Sequence, residues 1–356
     1  MDDDIHFEFE TLKRTFYLVR ALSDKYKNST VGGAMLYLDK PCYQHEFGGV
    51  FEGLYFRSIN RRLDVTKIEN LLKNEFSEKA NYNAWWYTCM PTSVVKEKNL
   101  PLPLFIKGDD VEYGIRCIDN LITINGLAIW HQDFSLKYNA SLEYYTKRNE
   151  QILAAIHSKV GKFKLALKVV YTVFVQLALK RYYCAEVILK AYEDFFKGCN
   201  FLKETDMEKL NSEIMGAHPA FINKDDLQAQ FNVEIDKELS KSDFTRKRRN
   251  IFRQLFFALE NYMPTFAFKN KTVVIPSNSM KVRPAHMKKT VIHFDENRNQ
   301  GYVGKLDTKR RNKLRRRTIK TFFKIIFSYN KIRKEYKNGY LSVCTRNEWN
   351  KKFGLE

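Results

Sequence analysis

The chain has 356 residues, 44% of them hydrophobic and 14% aromatic. That excludes a disordered or low-complexity protein and leaves room for about two domains of roughly 150 residues each. Lysine and arginine outnumber aspartate and glutamate by 61 to 41, a balance of +20. Six cysteines without a CxxC spacing are too few for a disulfide scaffold, and they point to free thiols in a reducing compartment.

In chain order, "MDDDIHFEFE" places Asp2, Asp3 and Asp4 together, a repulsive cluster that stability alone does not gather. An acidic start is also the opposite of the basic n-region of a signal peptide. Leu12, Phe16, Val19 and Leu22 fall at helical spacing within Phe9 to Lys25. "VGGAMLYL", Val31 to Leu38, reads as a strand opening on two glycines, and Pro41 to Ser58 reads as a loop or short meander. Val65 to Phe76 is helical in pattern, and "NAWWYTCMP" is extended, ending at Pro91. "LPLPLF" is barred from helix by its prolines. Asp109 or Asp110 then caps a helix carrying Ile115, Ile118 and Leu121. "TINGLAIW", Thr123 to Trp130, is a strand pair or a buried strand.

From Leu142 to Phe196 the pattern turns helical, and it does so again at Asp206 to Met215 and Phe244 to Tyr262. "KTVVIP" through "KKTVIHF" is a β-like insert. These changes place a boundary near Lys137, between an α/β part (1–137) and a mostly helical part (138–356). "LALKVVYTVFVQLAL", Leu165 to Leu179, holds Lys168 and Gln176 and is too short for a membrane span.

Four groups could carry chemistry. A D-x-D on a loop supplies oxygen ligands for a hard divalent cation that neutralises a diphosphate. Asp109, Asp110 and Glu112 crowd a helix start. The macrodipole explains one of them as a plain cap, and a second is placed to act as a general base. His131, between Trp130 and Asp133, follows a strand; a lone histidine is more often structural, yet beside carboxylates it suits Mn²⁺. Of Trp85 and Trp86, alternation sends one to the core and leaves the other as a platform for a sugar ring.

The ordered motifs "MDDDI", "VGGAML", "WWYTCMP", "LPLPLFIKGDDVEYGIR" and "GLAIWHQDFSLKYNASLEYYTKRN" resemble the bacterial galactofuranosyltransferases of the large inverting glycosyltransferase family 2. The resemblance runs from Met1 to about Ile152 and more loosely through "RYYCAEVILKAYEDFFKGCNFLKETD". It implies a partial GT-A, Rossmann-like α/β domain followed by a helical C-terminal domain. In that family a nucleotide-binding half precedes the D-x-D, so the chain is expected to begin mid-domain. By the same resemblance, Asp2, Asp4 and His131 would hold a divalent cation, Mn²⁺ or Mg²⁺. Asp2, Asp3 and Asp4 would bind the UDP-sugar, Asp110 would be the catalytic base with Asp109 beside it, and Trp85, Trp86, Asp109 and Glu112 would line the acceptor cleft. The implied reaction is inverting transfer of galactofuranose from UDP-galactofuranose to a polysaccharide or polyprenyl-linked glycan. UDP-glucose or dTDP-rhamnose as donor, or an inactive membrane-bound remnant, stand as alternatives.

Lys305 to Lys337 carries fourteen basic residues against Asp307 and Glu335, +12 of the total. Ile319, Phe322, Phe323 and Ile326 form an apolar stripe there, with Lys320, Lys324 and Lys331 outside it. A basic amphipathic helix of this kind suits an anionic membrane surface, giving a cytoplasmic, peripheral protein at the inner face of the membrane. The competing readings are a nucleic-acid patch, which no accompanying motif supports, and a solvated face packed on the body. Oligomeric state has no signature, and a homo-oligomer is compatible.

Overall fold

The computed structural model describes residues 3–76, 78–133, 140–235 and 251–355. The first part is built on β2 (Thr30–Tyr37), every residue of which is buried. Such a strand needs partners on both edges and cover on both faces. β1 (His6–Phe7) and α1 (Phe9–Ala21) precede it; β3 (Gln44–Glu46), β4 (Gly49–Glu52), β5 (Tyr55–Ser58), α2 (Ile68–Glu75), β6 (Thr88–Cys89), α3 (Asp109–Cys117) and β7 (Leu121–His131) follow. The main sheet runs β1-β7-β2-β3, with β6 also on β2. β2 and β7 are parallel, from Thr30 opposite Leu121 to Tyr37 opposite His131. β1 is antiparallel to β7, His6 facing Trp130, which carries Asp4 to the end of β7.

Gly32 and Gly33 in β2 are dictated by close approach. A Cβ on Gly32 would collide with Asn83, and one on Gly33 would lie 2.7 Å from the Tyr87 ring. Asn83 in turn donates to the carbonyls of Ala84 and Tyr87, so this contact shapes the turn carrying Trp85 and Trp86. The expected extended "NAWWYTCMP" is strand only at Thr88–Cys89.

The second part holds α4 (Ala140–His157), α5 (Lys162–Ala178), α6 (Tyr182–Phe195), α7 (Cys199–Glu204), α8 (Met207–Gly216), β8 (Ile222–Asn223), α9 (Lys224–Phe231), α10 (Ile251–Ala258), β9 (Lys269–Pro276), β10 (Lys288–Asp295), β11 (Gln300–Lys305), α11 (Thr308–Gly339) and α12 (Arg346–Phe353). The β-like insert is a four-stranded sheet ordered β8-β11-β10-β9. The boundary near Lys137 and the segment Phe244 to Asn250 lie outside the described residues. One apolar core joins the two parts: Leu54, Leu102, Leu104 and Val111 cluster with residues of α4, α5, α6 and α11. The mixed α/β sheet followed by a helical region is the expected fold class. All six cysteines are free. Among the described residues, no helix is long and apolar enough to cross a membrane.

Candidate active site

Parallel strands gather ligands beyond their carboxyl ends, and β2 and β7 end side by side at Tyr37 and His131. His131 is buried there, and its Nε2 lies 3.1 Å from Oδ1 of half-exposed Asp4. Its Nδ1 lies 2.6 Å from the Gln132 carbonyl, which can only accept. In the neutral ring the Nδ1 proton is therefore committed to that carbonyl, and the Nε2 lone pair faces a carboxylate lone pair. Two acceptors at this distance require a proton or a cation between them. The donor set thus fits a divalent metal with one oxygen and one nitrogen ligand from the described residues. Among those residues no group of three or more His, Cys, Asp or Glu is arranged to hold a metal ion, so remaining positions would fall to water or phosphate oxygens. Asp3 is exposed beside Asp4. Asp2, expected in the same site, lies outside the described residues.

The second group stands on α3. Its N-cap is Gly108 at φ 90°, not an aspartate, so Asp109 and Asp110 occupy the first helical turn. The loop before it is strained: Phe105 and the β-branched Ile106 also have left-handed φ values of 56° and 70°. Such strain persists only where surroundings over-determine it. Here α4 supplies them. Arg148 and Asn149, both fully buried, donate to the Leu104 carbonyl, and Asn149 also donates to that of Lys107. The Arg148 guanidinium is boxed by the rings of Tyr144, Tyr145 and Phe201. The helical part thus sets the position of the carboxylates.

Asp110 accepts from the Val111 N–H through Oδ1 at 2.7 Å. Burial raises the Asp109 carboxyl above its ordinary range. Glu112 does not join them. It is fully buried, its oxygens taken by Arg116 at 2.9 Å and by His157 Nε2 at 3.1 Å. Burial alone would raise its carboxyl, but hydrogen bonds from His157 and Arg116 outweigh that and hold it low. The expected role of Glu112 in acceptor binding therefore gives way to a structural one, because its carboxylate is spent on holding α3 to α4.

Between the two groups runs β3, read from sequence only as loop or meander. Its Glu46 is buried, and one oxygen has no hydrogen-bond partner among the described residues. Burial pushes its carboxyl up to about 7; a Ser58 hydrogen bond opposes this, the Asp110 charge adds to it, and Arg61 and Lys107 pull it down. His45 beside it is pushed down to about 4, by burial first, then Arg61, with Asp133 opposing and His131 and Lys107 adding. His45 Nδ1 meets the Tyr37 hydroxyl at 3.0 Å. Arg61 and Lys107 act on both residues, and Glu46 feels Asp110 while His45 feels His131. His131 on one side and Asp110 on the other thus both lie within electrostatic reach of β3. Trp86 is buried with its ring edge-on to His45 at 6.2 Å. Trp85 is half-buried against Tyr113, its indole N–H unpartnered among the described residues.

A buried histidine paired with a carboxylate, and carboxyls of raised proton affinity nearby on an α/β scaffold, are groups suited to chemistry rather than to stability alone. Two relatives make this more specific. Over 220 residues the chain is 31% identical to galactofuranosyltransferase GlfT2 of Mycobacterium tuberculosis, covering 56% of this chain and 34% of that protein. Over 215 residues it is 30% identical to galactofuranosyltransferase GlfT2 of Mycolicibacterium smegmatis, covering 56% and 33%. The chain thus spans about a third of the length of the relatives it matches. No family model matches it. The similarity supports kinship with glycosyltransferases at a distance.

Proposed function

We propose that the chain carries the acceptor and metal side of an inverting glycosyltransferase, passing galactofuranose from UDP-galactofuranose to a glycan acceptor. The observation that supports this reading is that β3 lies within electrostatic reach both of His131, paired with Asp4, and of Asp110 on α3. The acceptor hydroxyl lies against Asp110, which removes its proton as the oxygen bonds to the anomeric carbon. The bond from that carbon to the diphosphate breaks on the opposite side, so configuration inverts. Val111 orients the Asp110 carboxylate. Glu46, balanced near neutral pH, shares the released proton, since one of two adjacent carboxylates can hold it. Asp4 and His131, with Asp2 and Asp3 preceding Asp4 in the sequence, would hold Mn²⁺ or Mg²⁺, and such a cation stabilises a diphosphate leaving group. Trp86 and Trp85 shape the acceptor side, where an aromatic face suits the C–H bonds of a sugar.

Calorimetry of UDP with and without Mn²⁺ tests this reading. Binding is expected only with the metal, and His131→Ala is expected to weaken it at least tenfold. Equal affinity in the variant would remove the metal side of the proposal.

A further inference from the structure

The β4–β5 hairpin has a second side. Strand alternation turns Phe56 and Ser58 one way and Tyr55 and Arg57 the other. The Phe56 ring lies 3.8 Å from where a Cβ on Gly108 would sit, and Ser58 hydrogen-bonds Glu46, so that side faces the candidate active site. Tyr55 and Arg57 are exposed on the opposite side, where they line a cleft of about 770 Å³ with Glu52, Lys159, Gly161 and Lys164.

The charges of this cleft are unevenly matched. Arg57 is bound by Glu78 and His157 by Glu112, neither of which lines it. Lys168 stands over the Tyr55 ring at 4.4 Å and shares the Glu150 carboxylate with Lys147. Lys159 and Lys164 have no acid partner among the described residues, and Glu52 has no basic one. Lys164 sits in the first turn of α5, which holds no acid and where a cation opposes the helix dipole, so helix stability does not place it there. Its Nζ reaches back to the hairpin turn, 3.9 Å from where a Cβ on Gly53 would sit and 5.8 Å from the Tyr55 ring. Two unmatched lysines and one unmatched glutamate leave a single positive charge beside a ring that is 52% exposed.

We infer that this cleft binds an acidic sugar of a glycan, with a hexuronate carboxylate held by Lys159 and Lys164. The C–H face of the sugar stacks on Tyr55, and Glu52 accepts from its hydroxyls. Charge complementarity selects the occupant. A nucleoside diphosphate would bring several negative charges to a site with one net positive charge and would meet Glu52. A neutral glycan would leave both ammonium groups unmatched. The inference stands apart from the transferase reading, because its test uses neither a donor sugar nor a divalent cation.

The test is a ligand-observed NMR titration of the full chain in EDTA, with a glucuronosyl-galactose disaccharide as probe. Its uncharged glucosyl-galactose twin and UDP are the counter-probes. The wild type is expected to bind the acidic disaccharide about tenfold more tightly than the neutral one, less so at high salt, and UDP is expected not to displace it. Lys159→Gln with Lys164→Gln should weaken binding about tenfold, and Tyr55→Ala should weaken both disaccharides. Gly161→Asp guards against misfolding: its φ of −77° suits any residue, a Cβ there meets nothing within 4 Å, and Asp is a preferred N-cap. That variant should be at least as stable in urea and yet lose affinity, because its carboxylate competes for the lysines. His131→Ala should bind as the wild type does. Absence of binding, equal affinity for the neutral twin, displacement by UDP, or full affinity in the lysine pair or in Gly161→Asp would each overturn the inference. Loss of binding in His131→Ala would also overturn it, by placing the probe at the candidate active site.

Discussion

Glu46→Gln separates a carboxylate kept for chemistry from one kept for structure. The Glu46 carboxyl moves from 4.5 to about 7 on folding, chiefly through burial. One unit corresponds to about 1.4 kcal/mol, so ionising this group costs the native state about 3 kcal/mol relative to the unfolded chain. The sign follows from proton counts: between about pH 4.5 and 7 the folded state binds more protons than the unfolded one, so stability falls as pH rises. Glutamine keeps the shape and cannot ionise. In urea denaturation, the variant should match the wild type near pH 5 within about 1 kcal/mol, and exceed it by about 3 kcal/mol at pH 8. Comparing the two proteins at both pH values cancels the titrating groups that do not interact with Glu46. Transfer should fall in the variant even as stability rises, the usual relation at a functional site. A difference between the two proteins that does not change from pH 5 to pH 8 would refute the assignment.

Two further substitutions probe the scaffold. Asn149→Ala removes the donors to the Leu104 and Lys107 carbonyls, and should cost about 1–3 kcal/mol in urea unfolding. It should also lower the turnover number by relaxing the loop that positions Asp109 and Asp110. Glu112→Gln should cost about 3–5 kcal/mol by leaving buried Arg116 unpaired. Its carboxyl is lowered on folding, so the ionised contribution is present above the unfolded value of 4.5 and is lost as acid protonates it. The gap between wild type and variant should therefore shrink below about pH 4.5.

Much of the first part was legible because its signals are local. Two glycines and a run of apolar residues announced β2, prolines excluded helix before Asp109, and the strand read over Thr123 to Trp130 is the body of β7, which runs two residues earlier and one residue further, to His131. Glu46 was not legible: "QHE" is a three-residue strand whose burial comes from partners far along the chain. The start of α3 was misjudged because a glycine in a left-handed conformation does what a capping aspartate was expected to do. Glu112 shared the composition of its neighbours, and only helical geometry turns it inward, to Arg116 and His157. For the basic helix, extent and charge were readable while facing was not. Phe322 and Ile326 pack toward the core, and Phe327 replaces them outside. Arg310 and Arg317, counted in the +12 of that segment, are bound to α6.

The most direct test of the central claim is transfer from UDP-galactofuranose to a galactofuranosyl oligosaccharide, comparing wild type with Asp110→Asn. The account predicts product with the wild type. In the variant it predicts a turnover number lower by about 10²–10⁴-fold, the range for loss of a general base, with acceptor KM little changed. Equal turnover by the variant, or no product from the wild type with any UDP-sugar, would contradict it.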